Sequence, residues 1–213
     1  MSQEMGISKE AGVLKSMSMS NTGMHSRGKG FMAIATVIFG LALHSSAANA
    51  QQGSAPNDSQ IVGIVLCADQ VDIDYANLAM SKAKDQQVKD FAHQMITDHS
   101  SVQKSVEDLA GKLNVSPADS PTSTSLKTQA HQTLQKLQHL KGKEFEKAYI
   151  DNEVAYHQAV INAVKTVLIP NAQNTELKSA LEGTEPMFEG HLQHAQRVQS
   201  AIESGGAQAS AGK

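Results

Sequence analysis

Asp98 and His99 stand side by side in FAHQMITDHS, residues 91–100, where an apolar helical stripe needs its next core residue. An α-helix turns about 100° per residue, and on that arithmetic the centre of the stripe passes between the two, each within about 60° of it. Met95 lies one turn earlier on the same face and reads as core filler, whereas His93 falls almost opposite, towards solvent. Other segments repeat the pattern. Asp72 lies about 50° from the stripe of its segment, while Asp74 points away. Glu153 lies near the stripe of a later segment, with His157 one turn on at its edge. His191 is almost central on the last segment, and His194 lies towards its edge. Tyr149 and Tyr156 read as packing residues with hydrogen-bonded hydroxyls.

A carboxylate or imidazole turned inward without a partner is costly. A group of them requires mutual hydrogen bonds, water or a metal ion. Imidazole with carboxylate suits Fe, Cu, Zn or Mn, and helix-borne metal sites are built in bundle cores. The candidate metal ligands are therefore His99, His157 and His191, supported by Asp72, Asp98 and Glu153. A plainer account gives the same residues another role: Asp98 caps or pairs at the core edge, His157 stays at the surface, and the group forms a hydrogen-bonded network that fixes helix register. Ferritin-type dinuclear iron sites use Glu-x-x-His on two helices, and the chain contains none; Glu153 and His157 are four apart. A dinuclear oxidase is accordingly the least favoured class. The chain also lacks a nucleophile elbow, a phosphate-binding glycine loop, a CxxC pair and HExxH. No catalytic residue is assigned and no enzyme activity is expected.

The elements that must position these residues are helical. Of 213 residues, 40% are hydrophobic and 4% aromatic, with no Trp, so the core rests on Leu, Val, Ile, Met and Ala. The net charge of -3, without a basic stripe bearing aromatics, argues against nucleic-acid binding. Helical periodicity predicts segments from about 59 to 84, 85 to 113, 126 to 140 and 144 to 168. A short piece at 175–181 and a last segment reaching about Ile202 complete the pattern. Asp85 is a candidate N-cap. NVSPADSPTSTS (114–125), KGK (141–143), IPNAQN (169–174) and EGTEP (182–186) read as breaks. No run alternates with period two for long enough to form a strand. The expected fold is an all-α four-helix bundle with short extra helices over 59–202, preceded by a linker at 51–58 and followed by a flexible tail at 203–213.

Residues 1–50 differ from the rest. Arg27 and Lys29 precede FMAIATVIFGLAL (31–43), and small residues follow as far as Ala48 and Ala50. This reads as a secretory signal peptide cleaved after Ala50; the apolar run is short for a membrane span, and an uncleaved anchor is the alternative. The expected product is periplasmic or secreted, loosely associated with the outer membrane at most, and has no transmembrane segment after cleavage. Cys67, the lone cysteine, can form no internal disulfide and reads as a small buried apolar residue.

DIDYANLAMSKAKDQQVKDFAHQMITDHS (72–100), FEKAYIDNEVAYHQAVI (145–161) and EPMFEGHLQHA (185–195) occur in an order that resembles the domain of unknown function 4142 family. Its members are bacterial exported proteins, often labelled outer-membrane proteins. The resemblance covers about residues 60–202 and implies a ferritin-like helical bundle of the periplasm or envelope. It implies no established activity. His99, His157 and His191 match family His positions; Asp72 stands where the family commonly has Glu, one methylene shorter in reach. The function expected is metal handling or envelope stress response through a bound transition metal. The alternative is a structural bundle that binds an envelope protein partner.

Overall fold

The computed structural model describes residues 55–211, with side chains described through Ser204. The signal-peptide reading of residues 1–50 lies outside the described residues. Six helices follow one another: α1 (Asp58–Lys82), α2 (Gln86–Leu113), α3 (Pro121–His139), α4 (Gly142–Ala163), the single turn α5 (Ile169–Asn171) and α6 (Thr175–Ala211). A π-helical turn, Val164–Leu168, joins α4 to α5. No strand occurs among the described residues. No helix there is long and apolar enough to cross a membrane.

The helix starts are written locally. Asn57 and Gln60 form a reciprocal capping box at α1, and the Asp85 carboxylate accepts from the Gln87 N–H at α2, as its sequence position predicts. Glu146 of α4 is buried and accepts from the Lys84 and Asp85 N–H groups, at 2.7 and 2.9 Å, pinning the α1–α2 turn. Asn114 closes α2 in the left-handed conformation, and Gly142 at φ +52° lets the chain turn into α4.

Several boundaries differ from the sequence expectation. α1 ends at Lys82, two residues early. α3 starts at Pro121 rather than near 126, because Ser120 and Ser123 form a capping box and Pro121 sits in the first turn, where its missing N–H costs nothing. The break placed at 169–174 narrows to the segment after Asn171. Pro170 lacks an N–H and crowds the carbonyl four residues back; the preceding turn widens, and the Ile169 N–H reaches the Val164 carbonyl, five residues back. No break occurs at 182–186: α6 runs through Pro186. The proline removes one helical hydrogen bond, while Leu181 and Phe188 on either side stay buried in the core. The α6 backbone continues past Ile202 to Ala211.

α1 and α2 form one antiparallel hairpin, and α4 and α6 form another; packing is closest within each hairpin. The start of α3 lies near the start of α1, where the Ala118 N–H donates to the Ser59 carbonyl, and its end lies near the end of α1, where Lys82 reaches the Leu137 carbonyl. α3 therefore runs parallel to α1 and carries the chain back along the bundle before α4 begins. α1, α2, α4 and α6 make a four-helix bundle with one long crossover, the connectivity used by ferritin-like folds. At Gly63 any β-carbon would collide with the Ala118 carbonyl, so the crossover loop and α1 depend on glycine there.

The core is in two parts. One cluster holds Tyr75, Ala79, Val88, Phe91, Met95, Leu137, Phe145, Tyr149 and Val198. The other holds Ile61, Ile64, Val106, Val164, Leu168, Leu177 and Phe188. Along each bundle helix the sequence passes from one cluster to the other across a short polar stretch, and the four stretches coincide at one level.

Candidate metal centre

That level contains Asp69 and Asp72 from α1, His99 from α2, Glu153 and His157 from α4, and His191 from α6, each no more than 3% exposed. The three imidazole rings form a near-equilateral triangle, with centroids 5.8 Å (His99–His157), 5.3 Å (His99–His191) and 5.4 Å (His157–His191) apart. Phe188 stacks on His99 and the edge of Phe91 meets His157, so apolar groups wall the triangle.

Each ring has one nitrogen committed to an oxygen acceptor. His99 donates from Nδ1 to Asp69 Oδ1 at 2.7 Å, and His157 donates from Nδ1 to the Glu153 carbonyl at 3.0 Å. His191 donates from Nε2 to Asp98 Oδ2 at 2.9 Å. The Glu153 carbonyl has no proton to give, so it fixes the His157 tautomer. The remaining nitrogens, Nε2 of His99, Nε2 of His157 and Nδ1 of His191, are buried and unpartnered, as are both oxygens of Asp72 and both of Glu153. Two sets of donors lie within 4.8 Å of one another: His99, His157 and His191; and Asp72, Glu153 and His157.

Asp72 Oδ2 lies 3.2 Å from His99 Nε2 and 3.5 Å from His157 Nε2, yet none of the three atoms makes a hydrogen bond. Ligands held about 2.0–2.2 Å from one ion stand about 3.0–3.5 Å apart along the edges of a coordination polyhedron. The separations are those of neighbouring ligands. The committed nitrogens supply the other half of such a design, since an outer oxygen acceptor orients a ligating imidazole and raises its basicity.

The charge balance agrees with this layout. Burial pushes the Asp72 carboxyl up to about 6, against the pull of His99, and pushes Glu153 well above the ordinary carboxylate range, with Asp72 adding to the rise. Burial lowers His157 to about 3, helped first by the neighbouring His99. It also lowers His191. For His99 burial opposes the cation, but Asp72 and Asp69 outweigh it and raise its pKa. Two imidazoles are thus held neutral as lone-pair donors, and the buried carboxylates gain from any cation placed among them.

The six sequence-predicted residues include four besides His99 and His191, and the structure places these differently. His157 is 1% exposed, an interior residue and not a surface one. Asp72 and Glu153 share its donor set. Asp98 departs from its expected interior place: its side chain is 33% exposed, it belongs to neither donor set, and it holds His191 from outside. Asp69 was not legible as a member; the available signal was its position three residues before Asp72, on the same side of α1. Cys67 is buried against α3, with Sγ 3.7 Å from the Ser123 carbonyl, and takes no part. Met95 is core, as expected. Tyr156 donates to the Ala68 carbonyl at 2.8 Å, while the Tyr149 hydroxyl is buried without a partner.

The model of the domain of unknown function DUF4142 matches residues 43–198. The chain belongs to the DUF4142 family. The match spans all four bundle helices up to Val198 and so includes every member of the centre. No curated protein and no solved structure matches this DUF4142 chain significantly. The family description carries no activity, and the chemistry has to be argued from the side chains.

Proposed function

We infer that the bundle holds one transition-metal ion between His99 Nε2, His157 Nε2, His191 Nδ1 and the Asp72 carboxylate, with Glu153 adjoining. The observation that carries this reading is the paired use of each ring, one nitrogen tied to an oxygen acceptor and the other buried and unpartnered, in three rings that each offer a donor atom within 4.8 Å of the others. The two donor sets share His157, and Asp72 Oδ2 lies 3.2 Å from His99 Nε2, which supports a single ion drawing on both. Nitrogen and carboxylate donors without sulfur favour Fe, Mn or Zn over Cu(I). The basic, apolar and small-residue sequence of residues 27–50 supports export, so the reading is a metal-handling protein of the periplasm or envelope.

Elemental analysis of the protein purified without a histidine tag, before and after dialysis against chelator, tests the reading. Near-stoichiometric metal is the expected result. At a free metal concentration 100 times Kd, the bound ion adds about 2.7 kcal/mol, or about 5–11 °C in melting temperature for a domain of this size. A protein that neither takes up Fe, Mn, Zn or Cu nor changes its melting temperature with them refutes it. The second reading, a structural network, is favoured by a different observation: Asp69–His99 ties α1 to α2, and Asp98–His191 ties α2 to α6, with no ion required. It predicts full stability in chelator.

A further inference from the structure

A buried ion needs a way in, and a polar connection to solvent runs along the α2–α6 side. Towards one end of the bundle Phe91, Met95, Phe145 and Tyr149 close the core, and towards the other end Ile61, Leu177 and Phe188 close it. The α1–α4 side is sealed by the edge-on contact of Tyr75 with Tyr156, whose hydroxyl is spent on the Ala68 carbonyl. The α2–α6 side is different. Asp98 stands there one third exposed, and Gln94 Nε2 donates to its Oδ2 at 3.2 Å. His194 Nδ1 lies 2.8 Å from Gln94 Oε1. His191 bridges outside and inside: Nε2 is on Asp98, and Nδ1 is buried and unpartnered in a ring whose centroid lies 5.3 and 5.4 Å from those of His99 and His157.

Resting on the metal-binding reading, we propose that the α2–α6 seam is the entry port of the centre, with Asp98 as the outer binding position for a hydrated divalent transition-metal cation and His191 as the residue that passes it inward. Asp98 supplies the charge that attracts the ion and displaces part of its water. The ion takes the Asp98 oxygen from the His191 N–H, and the freed ring turns to bring the ion between His99 and His157. An anionic group at the mouth of a low-dielectric passage raises local cation concentration and association rate. Its removal slows loading more than it weakens the loaded state.

Stopped-flow uptake of Co(II) by the full metal-free protein, read by its ligand-field absorption, separates the two effects. Asp98→Asn keeps an oxygen acceptor for His191 and removes the charge; the expected result is an association rate lower by about tenfold, with a flattened salt dependence and unchanged final stoichiometry. Asp98→Lys slows uptake further, and Tyr156→Phe on the opposite side leaves the rate alone. Parental uptake rates in both Asp98 variants overturn the port, as does slowing by Tyr156→Phe alone. A wild-type protein that acquires Co(II) only when refolded in its presence also overturns the port, while leaving the binding reading intact. A wild-type protein that binds no Co(II), Fe, Mn or Zn by either route overturns the binding reading itself.

Discussion

Asp69→Asn separates a metal centre from a structural network, because the two readings assign the Asp69–His99 contact different energies. The carboxylate accepts from His99 Nδ1 at 2.7 Å with both side chains buried. In a metal centre its work is indirect: it aims Nε2 at the ion and makes the ring a better donor. Loss of such an outer partner costs 10–100-fold in metal affinity, about 1.4–2.7 kcal/mol. The metal-free protein loses little, since the Asn oxygen still accepts from Nδ1 and one neutral hydrogen bond replaces a charged one, a difference of about 1 kcal/mol. Its melting temperature falls by about 2–4 °C. In a structural network the charged pair is the point of the contact, and breaking a buried pair costs about 3–5 kcal/mol, or about 6–20 °C, whether or not metal is present. Competition of the protein against a chromophoric chelator for Zn(II), with calorimetry of the metal-free and metal-loaded forms, measures both quantities. Asp74→Asn, on the exposed side of the same helix, is the control and changes neither. An Asp69→Asn protein with the parent's metal affinity and a large loss of metal-free stability refutes the reasoning.

Replacing His99 and His191 together by Ala removes two of the three imidazole donors, and elemental analysis of the double variant is expected to show no retained metal; parental binding would sink the site. Metal affinity is expected to rise with pH across the weakly acid range. Asp72, raised to about 6, and His99, also raised, must lose protons to ligate, whereas His157, lowered to about 3, has none to lose. Each proton displaced gives about one decade of affinity per pH unit, and pH-independent binding measured by chelator competition would contradict it. In the metal-free protein His157 gives the opposite bias to Asp72: stability linked to His157 is lost as pH falls from 6.5 towards 3, and that linked to Asp72 is lost as pH rises from 3.8 through about 6. Gly63→Ala drives a methyl into the Ala118 carbonyl and is expected to cost about 1–3 kcal/mol by denaturant unfolding, with metal stoichiometry kept; a neutral result would mean that the crossover loop shifts freely.

The three histidines were legible because α2, α4 and α6 bury narrow stripes. On α2 the buried residues Val88, Ala92, Met95, His99, Val106 and Ala110 follow a single seam, and a projection at about 100° per residue locates His99 on it. Asp98, one residue back, falls on the flank that faces α6, where its side chain stays one third exposed. The same projection reads it as interior, because the projection gives direction but not the distance to the neighbouring helix. α1 defeats the method in the opposite sense. It touches α2, α3 and α4, and its buried residues, from Cys67 round to Ile73, cover roughly two thirds of its circumference. A helix covered on three sides has no single stripe centre, so Asp69 projects outside the apolar face and is buried all the same.

Pro186 teaches a related lesson about breaks. The run EGTEP carries the local marks of a helix end, yet α6 passes through it because Leu181 and Phe188 belong to the same apolar cluster and must stay in helical register to reach it. The continuous helix is also what brings His191 to the level of His99 and His157. That level lies between two apolar clusters that either helix pair could have joined into one. Unpartnered buried polar groups cost about 1–3 kcal/mol each, and a domain with a net stability of about 5–15 kcal/mol carries several only when something offsets them. Asp72, Glu153 and the three inward nitrogens come from three different helices besides α1's own, so no local helix preference explains their meeting. A cation among them offsets the cost of all at once, whereas replacing any one of them by an apolar residue relieves only its own share. On that ground a substitution such as Glu153→Leu is stabilising in the metal-free protein if the layer is built for an ion, and destabilising if the layer is a finished hydrogen-bonded network.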